Sequence, residues 1–447
     1  MAGEVLAQGS LATPRDEAAL ARRAIAGATI GNALEFYDFV TYSFFAIQIG
    51  HAFFPTHSSY ASLMLSLATF GVGFATRPIG GLILGAYADR VGRRPAMMLS
   101  FVLMGVAIIG LALIPTYAQI GVAAPILAVA ARLVQGFSLG GEVGPTTAYL
   151  LEAAPAHRRG FAVSWQGASQ GLSAAVGAGV GFGLSNLMAP AALDAYGWRI
   201  AFLLGAVTLP FGLWLRRTLP ETLHAPEPAP ITPTQAAPGG QDQPSRVALV
   251  RSSARIIALA LVVLASGTIG TYVFNYMTTF AQHSLHMAPG PAFAAGALGN
   301  LVGVAGGLFG GWLSDRIGRR PVMIWPALIS LAMLIPVFSW ITESRSVLAL
   351  TVGTAAISLF STIGTGAFYP AVAESLPKRI RGGAFATIYA VAIATFGGTT
   401  QLVITWLIQA TGSNMAPAWY LFVASALGLV ARWLIVETAP AKTGTVG

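Results

Sequence analysis

Gly85-Ala86-Tyr87-Ala88-Asp89-Arg90-Val91-Gly92-Arg93-Arg94 decides how this chain folds. The pattern returns as Gly311-Trp312-Leu313-Ser314-Asp315-Arg316-Ile317-Gly318-Arg319-Arg320. Each copy ends one long apolar stretch and begins another. An ionised side chain at the middle of a bilayer costs roughly 2.5–3.5 kcal/mol on insertion scales, so such a cluster belongs at a membrane surface. Each copy therefore reads as a tight loop joining two spanning helices. The offset from Asp89 to Asp315 is 315 − 89 = 226 residues, about half of the 447-residue chain. A second pair repeats similarly: Glu152-x-x-Pro155 leads to Arg158-Arg159-Gly160, and Glu374-x-x-Pro377 leads to Arg379-Ile380-Arg381-Gly382. Two motifs repeating at nearly one offset mark a duplication into two related halves.

Composition agrees. Hydrophobic residues make up 55% of the chain, charged residues only 9%, and mean hydropathy is +0.70. Soluble domains carry about 25% charged residues. A spanning helix needs about 20 apolar residues, so the length allows about a dozen helices with short loops. The net charge of +9 is no nucleic-acid signal, because Lys and Arg fall in short loops at alternate chain reversals. The chain has no cysteine, hence no disulfide framework. No metalloprotease helix, Walker loop or nucleophile elbow is present, which excludes the common enzyme constellations and a directly ATP-driven pump.

The expected layout is an all-α membrane protein with twelve spans in two pseudo-symmetric six-helix bundles. A polar tail over 1–24 precedes helices at about 25–49, 60–86, 95–115, 122–150, 160–187 and 198–217. A Pro-, Gly- and Gln-rich linker over 219–250 follows, too polar to form a core. The second bundle, 251–437, holds helices at about 253–281, 292–314, 321–341, 347–370, 383–409 and 417–436, with a tail over 438–447. The arginines of both repeated loops, and Arg22, Arg23, Arg158, Arg159, Arg216, Arg217, Lys378, Arg379 and Arg381, then share one side. By the positive-inside rule that side is cytoplasmic, with both termini.

Gly-x-x-x-Asp-Arg-x-Gly-Arg-Arg in two copies, twelve helices and a central linker resemble the major facilitator superfamily. Gly31-Asn32-Ala33-Leu34-Glu35-Phe36-Tyr37-Asp38-Phe39, Arg77-Pro78-Ile79-Gly80-Gly81, Arg132-Leu133-Val134-Gln135-Gly136-Phe137-Ser138-Leu139-Gly140-Gly141-Glu142 and Gly197-Trp198-Arg199-Ile200 resemble its metabolite:proton symporters. Ser164-Trp165-Gln166-Gly167-Ala168-Ser169-Gln170 and Gly85-Ala86-Tyr87 are most similar to the citrate and tricarballylate branch. The resemblance implies alternating access and uptake of a small carboxylate across a bacterial inner membrane. It implies a coupling proton and no other cofactor or metal. Proline or betaine uptake is the nearest rival, and drug efflux a more distant one. The expected partners are the lipid bilayer and the substrate, with no nucleic acid and a monomeric chain.

Arg77 lies twelve residues before Asp89, about 18 Å deep at ~1.5 Å per residue. Arginine at such depth must face the bundle interior or a wet cavity and have a partner. Gln135 and Glu142 share a face of helix 4 with Arg132, and Glu35 and Asp38 are neighbours on helix 1. Two readings compete: these groups neutralise one another and hold helices together, or the arginines attract a carboxylate and Glu35, Asp38 or Glu142 carries the coupling proton. Polar residues recur at helical spacing on helix 5 (Gln166, Ser169, Gln170, Ser173), helix 7 (Thr268, Tyr272, Asn275, Tyr276, Thr279) and helix 10 (Ser358, Ser361, Thr362, Thr365, Tyr369), with Asn300 on helix 8. These either line a cavity or bond helix to helix. The candidate substrate-binding set is Arg77, Arg132, Gln135, Gln166, Gln170, Asn275, Tyr276, Asn300 and Tyr369. Opposite charges at the cytoplasmic helix ends suit a gate built from Asp89, Arg90, Arg93, Arg94, Glu152, Arg158, Asp315, Arg316, Arg319, Arg320, Glu374 and Arg381.

Overall fold

The computed structural model describes residues 14–140, 150, 154–207, 209, 210, 212, 246–377 and 380–443. Glu142 and Glu152 lie outside these residues, as do the side chains before Thr29 and those of Asp89, Arg93, Arg94 and Arg381. The linker expected over 219–250 falls mostly outside them too.

Twelve principal helices can be followed among the described residues, with short helical pieces between them. In the first half, α1 is Pro14–Phe44, extended by Ala46–Phe53, and α2 is Ser59–Ala75 followed by Arg77–Val91. Then come α3 (Arg93–Leu113), α4 (Ala123–Leu139), α5 (Arg159–Leu187) and α6 (Trp198–Ala206). The second half holds α7 (Ala254–His283), α8 (Pro289–Ile317), α9 (Arg319–Ser344), α10 (Val347–Ser375), α11 (Arg381–Ala392, a π-helical turn, then Gly398–Thr411) and α12 (Ala416–Leu434). Eight described helices are long and apolar enough to cross a membrane. Their outward faces carry Leu82, Val106, Trp325 and Leu348, as lipid contact requires. The start of α1 differs from expectation. Helix begins at Pro14, eleven residues before position 25, because Ala-rich sequence with Pro at its first position favours helix despite its charge.

The repeat is visible in the backbone. Gly92 joins α2 to α3 at φ 123°, and Gly318 joins α8 to α9 at φ 106°. Only glycine enters that region without strain, which fixes the glycine of both ten-residue motifs. The second part of α2 packs beside the first part of α11, and Arg319 of the second loop bonds Glu374 at the end of α10, just before α11 begins. Both repeated loops therefore open on one face.

The halves meet through α5 on α8, α2 on α11 and α1 on α7. On the face opposite the arginine-rich loops, Gln401 donates to Ser43 Oγ at 2.6 Å, Thr279 donates to the Ser43 carbonyl at 3.3 Å, and Phe45 meets Phe293 at 5.0 Å. A space between the halves lies between these contacts and the arginine-rich face.

Candidate transport site

A cavity of about 140 Å³ occupies that space. Both halves line it: α1 and α5 on one side, α7, α8, α10, α11 and α12 on the other. Gln170, Asn275, Asn300 and Tyr369 all reach it, as the sequence leads one to expect, with Ser358, Thr362 and Thr365 of the α10 stripe. Tyr389 of α11 also lines it, and Gln170 Nε2 lies 3.4 Å from its hydroxyl across the interface between halves.

Thr268 and Tyr272 of the α7 stripe also line it, while several other stripe residues are placed elsewhere. Gln166 and Ser169 are engaged by Asn32 of α1, and Ser173 donates to the Ala33 carbonyl at 2.6 Å. One face of α5 thus serves both purposes: three residues bind α1 and Gln170 faces the cavity. Tyr276 is buried away from it, and its hydroxyl accepts from Thr405 of α11 at 2.8 Å.

Arg77 and Arg132 lie side by side behind an aromatic layer rather than on the cavity wall. The Phe39 ring lies between them: Arg77 Cζ is 4.3 Å and Arg132 Cζ 4.7 Å from its centroid. Arg77 also covers Phe74, and Arg132 covers Tyr42 and Phe70. Cation–π contacts of this kind reach about 2 kcal/mol when desolvated. The layer continues to Tyr272, whose ring is 5.4 Å from Phe74 and which itself lines the cavity. Arg132 donates to Gln135 Oε1 at 2.6 Å, whereas Arg77 Nε and Nη2 are buried with no hydrogen-bond partner. The pair is held close because α2 and α4 touch backbone to backbone. A Cβ on Gly136 would overlap the Gly73 carbonyl, so no larger residue fits there.

Asp38 is not their counter-ion. Among the described residues no ion pair joins it to Arg77 or Arg132; Oδ1 is buried without a hydrogen-bond partner and packs against Gly205 of α6. Glu35 is also buried, one turn earlier on α1.

Of the charged residues expected at a gate, Asp315, Arg319 and Glu374 form one network. Asp315, at the end of α8, accepts from the backbone N–H groups of Gly160 at 2.8 Å and Phe161 at 2.9 Å. Those are the first N–H groups of α5, in the other half. A carboxylate there satisfies orphan donors and meets the positive end of the helix dipole. Arg319 is fully buried and bonds Asp315 at 2.7 Å and Glu374 at 3.0 Å. The close approach demands glycine: a Cβ on Gly160 would come within 2.6 Å of the Gly311 carbonyl. Arg316 stacks on Trp312 at 3.9 Å, while Arg90 and Arg158 are exposed. Arg320 donates through Nη2 to the Trp433 carbonyl.

A further member is Glu437, just beyond α12. It accepts from the backbone N–H groups of Arg319, Arg320, Thr438 and Ala439 at 2.8–3.0 Å. Burial raises its pKa, but these four donors outweigh burial and hold the carboxylate below its ordinary value. Thr438 also donates to Glu374 at 2.8 Å. Nothing in the sequence singles out Glu437, because backbone partners leave no charge pattern. Asn32 and Tyr389 are similarly invisible, as lone polar residues in apolar helices.

Comparison with known proteins accords with this geometry. The model described as "Major Facilitator Superfamily" matches residues 28–316, and "Sugar (and other) transporter" matches residues 241–443. The chain is 36% identical to a citrate-proton symporter of Salmonella typhi over 95% of this chain and 96% of that one. It is 31% identical to a proline/betaine transporter of Salmonella typhimurium over 95% of this chain and 85% of that one. Its fold matches the crystal structure of a D-xylose-proton symporter with a TM-score of 0.73 at 20% identity, over 94% of this chain and 98% of that one. The chain belongs to the major facilitator superfamily of membrane transporters, within the metabolite:proton symporter family and on the branch that holds the citrate-proton symporters.

Proposed function

We propose that the chain takes up a small di- or tricarboxylate such as citrate, together with protons, across the bacterial inner membrane by alternating access. The observation that carries this reading is the cavity shared by both halves, in which Gln170, Asn275, Asn300, Tyr369, Tyr389 and Arg432 stand among mostly apolar neighbours, with contacts between the halves on each face. The arginine-rich face is then cytoplasmic, and the Asp315 network is the bar that must open to release substrate there. Two relatives named as citrate-proton symporters, at 36% identity, support the substrate class.

In this reading Asp38 is the proton carrier, with Glu35 and Glu142 as further candidates. It sits on α1, the helix that also lines the cavity through Phe36 and Val40. Charging or neutralising it changes how α1 packs on α6, which ties protonation to the position of the cavity wall. Arg77 and Arg132 stand one ring behind Tyr272. They reach an anionic substrate only when the Phe70, Phe74 and Tyr272 layer parts, so they act on the substrate during the transition between states.

Proline or betaine uptake is the second reading, favoured by the mostly neutral cavity wall and by the relatives at 31% identity. Purified protein in liposomes, given labelled citrate, 2-oxoglutarate or proline with and without an imposed pH gradient, separates the two. Citrate accumulation that follows the gradient is expected. Entry of proline alone rejects the carboxylate, and indifference to the gradient rejects proton coupling.

A further inference from the structure

Arg432 is the one charged residue among the described residues that line the cavity. It sits on the last turn of α12 and is only 8% exposed. Its Nε is buried without a hydrogen-bond partner. No hydrogen bond or ion pair joins its guanidinium to any acceptor among the described residues. The anions of this face are engaged elsewhere: Asp315 and Glu374 hold Arg319, and Glu437 is occupied by four backbone N–H groups. The guanidinium lies against α10, where a Cβ on Gly364 would stand 3.4 Å from Nη1.

A buried guanidinium without a partner is costly, and native proteins seldom leave one so. Arg77 and Arg132 offset that cost with aromatic faces and with Gln135; Arg432 has neither. Its free donors are a planar fork suited to two oxygens of one carboxylate. The neutral donors of the same cavity, Asn275 and the Tyr369 hydroxyl among them, suit further oxygens of an oxygen-rich ligand but cannot balance its charge.

We propose that Arg432 is the anion-binding residue of the cavity, taking one carboxylate of the bound substrate in a two-oxygen contact and selecting for that charge. This rests on the carboxylate reading above and adds the residue that recognises the charge. It follows that a ligand of the same size with no free carboxylate gains nothing from Arg432, whereas citrate depends on it.

The test is uptake kinetics of wild type, Arg432→Gln and Arg432→Lys in liposomes, with labelled citrate and, as competitor, citrate triamide. Arg432→Gln is expected to raise the KM for citrate at least tenfold, to leave the maximal rate within threefold, and to abolish the preference for citrate over the triamide. Arg432→Lys keeps charge without the fork and is expected to fall between. Thermal unfolding with and without citrate guards against a folding defect: wild type should gain stability with citrate, and folded Arg432→Gln should not. A citrate KM within twofold of wild type in Arg432→Gln overturns the inference alone. So does a loss confined to maximal rate in both variants, with the citrate preference and the citrate-induced shift retained. A wild-type chain that carries proline and no carboxylate overturns the functional reading, and this inference with it.

Discussion

Replacing Asp315 by asparagine should release the gate on the arginine-rich face. The aspartate carboxylate makes two charge-assisted bonds to the start of α5 and one to Arg319, and its side chain is only 6% exposed, so solvent screens little of this. Hydrogen bonds to a charged group contribute about 1.5–3 kcal/mol each, and neutral ones about 0.5–1.5 kcal/mol. Asparagine keeps one neutral acceptor and turns an N–H₂ toward a backbone donor. The closed state should therefore lose about 3 kcal/mol relative to the open one, which is roughly a hundredfold in population at about 1.4 kcal/mol per decade. The chain has no cysteine, so a single probe can be placed on the native background. Thr365→Cys on the cavity wall, labelled from the cytoplasmic side with a membrane-impermeant maleimide, reads the open fraction. The labelling rate should rise at least tenfold in Asp315→Asn at unchanged protein level, and pH-driven uptake should fall. A rate within twofold of the parent would show that the network does not hold the halves together.

Asp38→Asn should abolish accumulation driven by a pH gradient while sparing exchange of labelled for unlabelled substrate at equal pH, because an amide cannot cycle a proton. Equal loss of both activities would move the coupling role to another group. Glu437 gives a pH test of known sign. Its folded pKa is depressed, so its contribution is present above the ordinary carboxylate value and is lost as pH falls through the folded value. Amide exchange at Arg319 and Arg320, corrected for intrinsic rate, should stay slow from pH 7 to 5 and accelerate on acidification below 4.5. Glu437→Gln should exchange fast throughout; protection in that variant would mean the C-terminal turn docks by other contacts.

Much of the fold was legible because its determinants are one-dimensional. Charge clusters cannot enter hydrocarbon, so the repeated loops mark helix ends, and Gly92 and Gly318 mark them twice through their backbone angles. The site was legible only in part. A helix pattern reports which residues share a face, not what lies opposite. Gln166 and Gln170 are one turn apart on α5, yet one is held by Asn32 and the other reaches the cavity. Depth alone identified Arg77 and Arg132 as interior, but their partners are rings contributed by α1 and α2, and no pairing rule in sequence predicts that Phe39 separates them. Arg432 was passed over because an arginine on the last turn of a spanning helix is what snorkelling and orientation already require. Only the packing of α12 against α7 and α9 turns that side chain inward.

The duplication makes one more demand. In the second copy, Asp315 caps the start of α5 at Gly160, the glycine that closes the first Glu-x-x-Pro-x-x-x-x-Gly motif. The chain has the reciprocal set: Asp89 in the first loop and Gly382, closing the second such motif, at the start of α11. Pseudo-symmetry then predicts a second bar of the same chemistry between α2 and α11. The Asp89 side chain lies outside the described residues, so labelling must decide. If the second bar exists, Asp89→Asn should raise cytoplasmic labelling of Thr365→Cys as Asp315→Asn does. The double variant should then add in free energy, since separate sites without shared partners are additive to within about 0.5 kcal/mol. If Asp89→Asn leaves labelling unchanged while Asp315→Asn raises it, the gate is one-sided, and the first loop is retained for membrane orientation alone.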